Sequence, residues 1–144
     1  MNRVSPRQQF LAYLAALLCF LLMDAGWLSL TSGPLYKPAF GALMAPEPNW
    51  LPVALFYPLY LFGLLVFAIR PALELREPVA ALRRGALLGL MAYAAYDLTN
   101  QATLRDWPWS ITAIDMAWGT TVSACASWAG AWLTSRRARR TSAQ

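Results

Sequence analysis

Apolar positions cluster into four long runs, at about 9–30, 51–69, 82–104 and 111–134, with short polar stretches between them. At 1.5 Å per residue each run reaches across the ~30 Å hydrocarbon core of a bilayer. The pattern predicts an all-α polytopic membrane protein: one domain over 1–144, a four-transmembrane-helix bundle, and a basic cytoplasmic tail over 135–144. The stretch 31–49 opens with Gly33-Pro34 and closes with Pro46-Glu47-Pro48. Within it Tyr36, Phe40, Leu43 and Met44 recur at helical spacing, which predicts a short interfacial helix with Pro38 in its first turn, acting as an anchor or a lid. Span two is expected to start near Pro52, kink at Pro58 and end at Pro71.

Charge sets the orientation. Arg3 and Arg7 precede span one, Arg70, Arg76, Arg83 and Arg84 lie between spans two and three, and Arg136, Arg137, Arg139 and Arg140 follow span four. Only Lys37 and Arg105 fall in the other two loops. The bias predicts a multi-pass protein of the bacterial inner (plasma) membrane with both termini cytoplasmic. A net charge of +5 distributed this way reads as a topology signal, and nucleic acid is not an expected partner. Trp27, Trp50, Trp107 and Trp109 are expected at the outer boundary and Trp128 and Trp132 at the inner one, as aromatic belts, with Trp118 lying deeper. The first run resembles a signal peptide, but Met23-Asp24-Ala25-Gly26-Trp27 supplies no small-x-small cleavage site, so it is expected to stay as a span.

Composition narrows the chemistry. The chain is 58% hydrophobic and 13% charged, too apolar for a soluble domain of this size. It has no histidine, which removes the usual general base and the usual zinc and haem ligand. Cys19 and Cys125 lie in separate spans without CxxC spacing and read as small packing residues. Three carboxylates, Asp24, Asp97 and Asp115, interrupt the apolar runs. A charge in hydrocarbon costs roughly 2.5 to 3.5 kcal/mol on the insertion scale, so each is expected to face protein or water.

Counted along their helices, Asp24 and Asp97 lie ~21 Å from the inner edge, Asp115 ~6 Å and Tyr57 ~9 Å below the outer edge. All four helices therefore bring a hydrogen-bonding side chain to the outer half of the bilayer. On span three, Tyr93, Tyr96, Asp97, Asn100, Gln101 and Thr103 fall within about half the helical circumference, opposite Met91, Ala95, Leu98 and Ala102. The expected ligand- or proton-binding set is Asp24, Asp97, Asn100, Asp115, Tyr57, Tyr96, Thr103 and Trp118. No catalytic residue is assigned, no metal-ligand array has dedicated spacing, and no cofactor is implied.

Asp24-Ala25-Gly26-Trp27 and Asp115-Met116-Ala117-Trp118 repeat one pattern on spans that run in opposite directions, as an inverted pair around one site would. The bundle also resembles the DUF2177 family of small bacterial membrane proteins. The resemblance is carried by Tyr96-Asp97-Leu98-Thr99-Asn100, Ala102-Thr103-Leu104, Trp107-Pro108, Thr112 and Asp115 through Thr120. Asp24 to Leu28, Phe56-Tyr57 and Pro71-Ala72-Leu73 match more loosely. Gln101 departs from the pattern, which has an apolar residue there. The resemblance implies four spans and supplies no reaction.

Like carboxylates crowded in a low dielectric cannot all remain charged, so such a cluster holds an exchangeable proton. Three functions fit it. The first is a site that binds, and in a fuller version transports, a small cationic or hydrogen-bonding ligand with proton coupling. The second is a membrane enzyme acting on a lipid or isoprenoid, with Asp97 or Asp115 as acid or base and Tyr96 as partner. The third is a structural or accessory subunit whose polar residues bind a partner span; the purely structural alternative is that the acids only hydrogen-bond neighbouring helices and lock the bundle. The bilayer is the common partner; a homodimer goes with transport and is optional otherwise.

Overall fold

A computed structural model describes residues 4–141, except the side chains at 42 and 137–141. Arg3 and the side chains of Arg137, Arg139 and Arg140, which contribute to the charge bias, lie outside the described residues. The fold is all-α, four long helical segments in a bundle, with no strand among the described residues. The first segment starts where Ser5 caps it: the Gln8 N–H donates to Ser5 Oγ at 3.2 Å, and the Gln8 side chain accepts the Ser5 N–H at 2.9 Å.

This segment is α1 (Pro6–Thr31), then a wide π turn (Ser32–Tyr36), then α2 (Lys37–Phe40). The second is α3 (Trp50–Leu64), a π turn (Leu65–Ile69) and α4 (Arg70–Leu75). The third and fourth are α5 (Pro78–Thr103) and α6 (Trp109–Thr141).

Both π turns have one cause. In the first the Lys37 N–H donates to Ser32 O, in the second the Arg70 N–H donates to Leu65 O, and in each a proline, Pro38 or Pro71, follows two residues after the turn. Proline lacks an N–H and its ring collides with the carbonyl four residues back; a turn one residue wider makes room for the ring and keeps the helix going. Two expectations are corrected here. Pro71 does not end the second segment, which runs on to Leu75, and the short helix around Pro38 is a continuation of α1, not a separate piece in the loop. What ends α4 is Arg76, whose backbone turns left-handed at φ 58°.

The bundle is organised around α6, which packs on both α1 and α5. Its contacts with α5 are made by glycines: Gly85 lies on Ser127, Gly89 on Ser123 and the Gly119 backbone, and Gly119 on the Tyr93 ring. Each four-residue step up α5 is a four-residue step down α6, so the helices are antiparallel, and close approach depends on the missing Cβ atoms. On the other side Gly130 sits against Ala12 and Ala16, while Asp24 meets Trp118, so α1 is antiparallel to α6 as well. The buried stripe of α1 is Ala12, Ala16, Phe20 and Asp24, one residue every four.

The outward faces are the apolar ones. Phe10, Leu14, Leu18 and Leu22 on α1, Leu55, Leu59 and Phe62 on α3, and Leu87 and Met91 on α5 are exposed, whereas Asp24, Asp97, Ser123 and Ser127 are buried. This reverses the soluble pattern and is what a hydrocarbon solvent demands. Two of the helical segments, Pro6–Phe40 and Trp50–Leu75, are long and apolar enough to cross a membrane by length and composition.

Gly89→Leu places carbon against the Gly119 carbonyl and Ser123 Oγ, a wall made partly of backbone, and is expected to destabilise the bundle by about 2–3 kcal/mol. Gly63→Ala, with open space around it, is expected to gain up to about 1 kcal/mol from helix propensity. Circular dichroism during SDS titration in mixed micelles reads both; an unchanged midpoint for Gly89→Leu rejects the close α5–α6 contact.

Candidate functional site

The register of the helices brings the three acids to one level. Tyr93 lies on Gly119, and one turn further along both helices sets Asp97 opposite Asp115. Asp24 meets α6 at Trp118. Positions 115 to 118 of α6, about one turn, therefore collect a carboxylate from each of α1, α5 and α6.

Asp24, from the buried stripe of α1, is held by two donors: the Tyr57 hydroxyl at 2.5 Å and the Trp118 indole N–H at 3.1 Å. Asp115 accepts the hydroxyl of Tyr36, and that hydroxyl accepts the Trp27 indole N–H at 3.1 Å. The Trp27 and Trp118 rings stack with centroids 4.4 Å apart and planes 9° from parallel, joining the two halves into one network. Below it, Phe20 packs edge-on against both Tyr57 and Tyr60, and the Tyr60 and Ser123 hydroxyls share a hydrogen bond of 2.7 Å.

Asp97 differs from the other two acids. It has 0% exposure, and both of its carboxylate oxygens are buried without a hydrogen-bond partner. Tyr93, one turn away on the same stripe, is half-buried above Gly119.

Above the acids the Tyr36 ring stacks on Phe40 at 5.9 Å, and Phe40 lies 4.9 Å from Trp107. Trp107 closes the α5–α6 connection: its indole N–H donates to Thr112 Oγ1 (3.1 Å), Thr112 donates to Gln101 Oε1 (3.0 Å), and the Gln101 amide returns to the Trp107 carbonyl (2.9 Å). Gln101 thus faces α6, and its polarity is used. Through Tyr36 and Phe40 this end of the first segment reaches Asp115 and Trp107.

Of the residues expected from sequence, Asp24, Asp97, Asp115, Tyr57 and Trp118 gather here, and Asn100 is half-buried one turn above Asp97. Tyr96 and Thr103 do not join them. Tyr96 is 61% exposed and touches only the edge of Trp107, and the Thr103 hydroxyl is spent on the Thr99 carbonyl of its own helix. The reason is the narrowness of the buried stripe, Ala81, Gly85, Gly89 and Asp97, which the close α6 backbone leaves only one residue wide.

Trp27 and Trp107, assigned to the outer belt, are half-buried and buried members of the network, whereas Trp50 and Trp109 are about 70% exposed. Cys19 and Cys125 are free and half-buried. Tyr36, Tyr60 and Ser123 escaped the sequence reading. The signal for Tyr36 was its place on the short aromatic segment, and for the pair of tryptophans it was the repeated Asp-x-x-Trp.

The model of the DUF2177 family, described as a predicted membrane protein, matches residues 9–132, and the chain belongs to that family. Neither a curated protein nor a solved structure matches it.

Removing one donor from Asp24 while keeping an aromatic ring, as in Tyr57→Phe or Trp118→Phe, is expected to cost about 1–3 kcal/mol, because a buried charge loses a hydrogen bond. Thr103→Val is expected to stay within about 0.5 kcal/mol. The same SDS titration measures all three, and equal midpoints for Tyr57→Phe and Thr103→Val reject the Asp24 network.

Proposed function

We propose that this member of the family spans the bacterial inner membrane four times with both termini cytoplasmic, and that its acid site, in the outer half of the bilayer, exchanges a proton for a small cationic or hydrogen-bonding ligand. The orientation is supported by the arginines at the termini and around the α4–α5 turn, which put the acids and α2 on the outer side.

One observation carries the exchange: Asp97 is fully buried, both its oxygens lack partners, and Asp115 lies opposite. An unpaired carboxylate charge in such a place costs several kcal/mol, and a second carboxylate beside it adds repulsion. A proton on Asp97 removes the cost. A ligand bringing positive charge or donor hydrogens removes it in the same way, so the two compete for one position. Asp24 already accepts from two donors, so neither a proton nor a ligand is needed to complete its hydrogen bonding. If the ligand crosses the membrane, a second copy supplies part of the path, because glycine contacts close α5 onto α6 below the acids within one copy.

In lipid nanodiscs, octylammonium is expected to release about one proton per chain, read with a pH indicator in weak buffer, as charge replaces charge. Asp97→Asn is expected to release none and to bind the probe about tenfold more weakly, a loss of about 1.4 kcal/mol. The infrared carbonyl band of a protonated carboxyl should be present in the unliganded wild type and missing from Asp97→Asn. Equal binding and equal proton counts for the two forms reject the reading.

A further inference from the structure

Asp24 and Trp27 on α1, and Asp115 and Trp118 on α6, face each other crosswise because the helices are antiparallel and the two indoles are stacked. Each indole N–H is directed toward the carboxylate of the other helix, but the two halves are not equal. Trp118 donates straight to Asp24 at 3.1 Å. Between Trp27 and Asp115 stands one extra atom, the hydroxyl oxygen of Tyr36, which accepts from Trp27 and donates to Asp115.

That oxygen does not come from the core of either helix. It comes from the end of the π turn leading into α2, a segment that ends at Gly41 with a left-handed φ of 50°. Flanking this segment, Leu30 and Leu43 are more than 70% exposed, and within it Lys37 is exposed.

We propose that the gap between the Trp27 indole and Asp115 is a subsite for the hydroxyl group of an alcohol or phenol carried in the bilayer, and that Tyr36 is its built-in occupant. It goes beyond the acid exchange proposed above, with which it shares only Asp115. The position requires one atom that accepts from an N–H and donates to a carboxylate, and a hydroxyl does both. An ammonium has no lone pair for the indole, a ketone has no proton for Asp115, and a phosphate or carboxylate is repelled by it. Phe40, stacked on Tyr36, and Trp107, tilted against Phe40, supply apolar walls for the body of the ligand. A ligand hydroxyl entering the gap displaces the Tyr36 hydroxyl.

A long-chain alcohol carrying a diazirine, and its methyl ether, test this in nanodiscs. The alcohol is expected to photolabel wild-type protein around Trp27, Phe40 and Trp107, and the ether, which cannot donate, about tenfold less. Tyr36→Ala, with the gap vacated, is expected to capture the alcohol at about tenfold lower concentration, equivalent to about 1.4 kcal/mol. Trp27→Phe preserves the stack and removes the donor, and should reduce capture of the alcohol while leaving the ether unchanged. Equal labelling by alcohol and ether, or no gain in Tyr36→Ala, overturns the proposal. Protection by water-soluble p-cresol exceeding that by decanol overturns its bilayer-borne part. Loss of hydroxyl discrimination with octylammonium proton release intact sinks the subsite alone; the converse sinks the acid exchange and leaves the subsite.

Discussion

A carboxylate taken out of water needs donors, and in an apolar bundle the donors have to come from neighbouring helices. Asp24 shows the constraint satisfied: α1 supplies the acid, α3 supplies the Tyr57 hydroxyl, and α6 supplies the Trp118 indole N–H. Three helices are fixed relative to one another by two hydrogen bonds that meet on one buried carboxylate. Asp115 extends the same logic to the outer segment, since its donor, Tyr36, is delivered by the turn that ends α1. The polar network therefore adds fixed tie points to a bundle whose buried cluster of Ala12, Ala16, Phe20, Leu61, Leu64 and Val122 is apolar.

That network depends on backbone proximity, and proximity comes from small residues. Gly85 and Gly89 let α5 lie directly on Ser123, Ser127 and the Gly119 carbonyl, and the resulting register carries Asp97 to Asp115. A longer side chain at either glycine would push α6 outward and separate the carboxyls. The glycine-mediated contact of α5 with α6 thereby sets the geometry at the end of the bundle where the three acids are.

Much of this was legible in the residues, for identifiable reasons. Run lengths marked the four helical segments, because crossing hydrocarbon imposes a minimum length that composition reveals. Depth counting placed the three acids at one level, because rise per residue is nearly invariant. The prolines misled: Pro38 read as the start of a separate short helix and Pro71 as a stop, yet each is absorbed by a π turn two residues earlier, a backbone adjustment with no sequence signature of its own. The helical wheel of span three was too generous. It admitted Tyr96 and Thr103 because a wheel records direction and not how near the next helix lies, and glycine-mediated contact narrows the inward arc. The tryptophans were misassigned in part for a related reason, since an indole near the interface has the same sequence context whether it faces lipid, as Trp50 does, or stacks inside, as Trp27 does.

The asymmetry among the acids bears on which kind of function the site serves. If the carboxylates only tied helices together, each would be expected to end in donors, since a tie without a partner costs free energy and holds nothing. Asp24 and Asp115 end in donors. Asp97, the most deeply buried of the three, does not. A membrane enzyme acting on a lipid would need a partner group placed to finish the proton transfer, and Tyr96, the nearest candidate in sequence, points away from the cluster. Under the proposed exchange, the favourable state of Asp97 requires something else to arrive: a proton when the site is at rest, a ligand when it is engaged. Burial without a partner is, on that proposal, the source of the exchange, because the same missing hydrogen bonds that make an empty, charged site unstable give each occupant its hold.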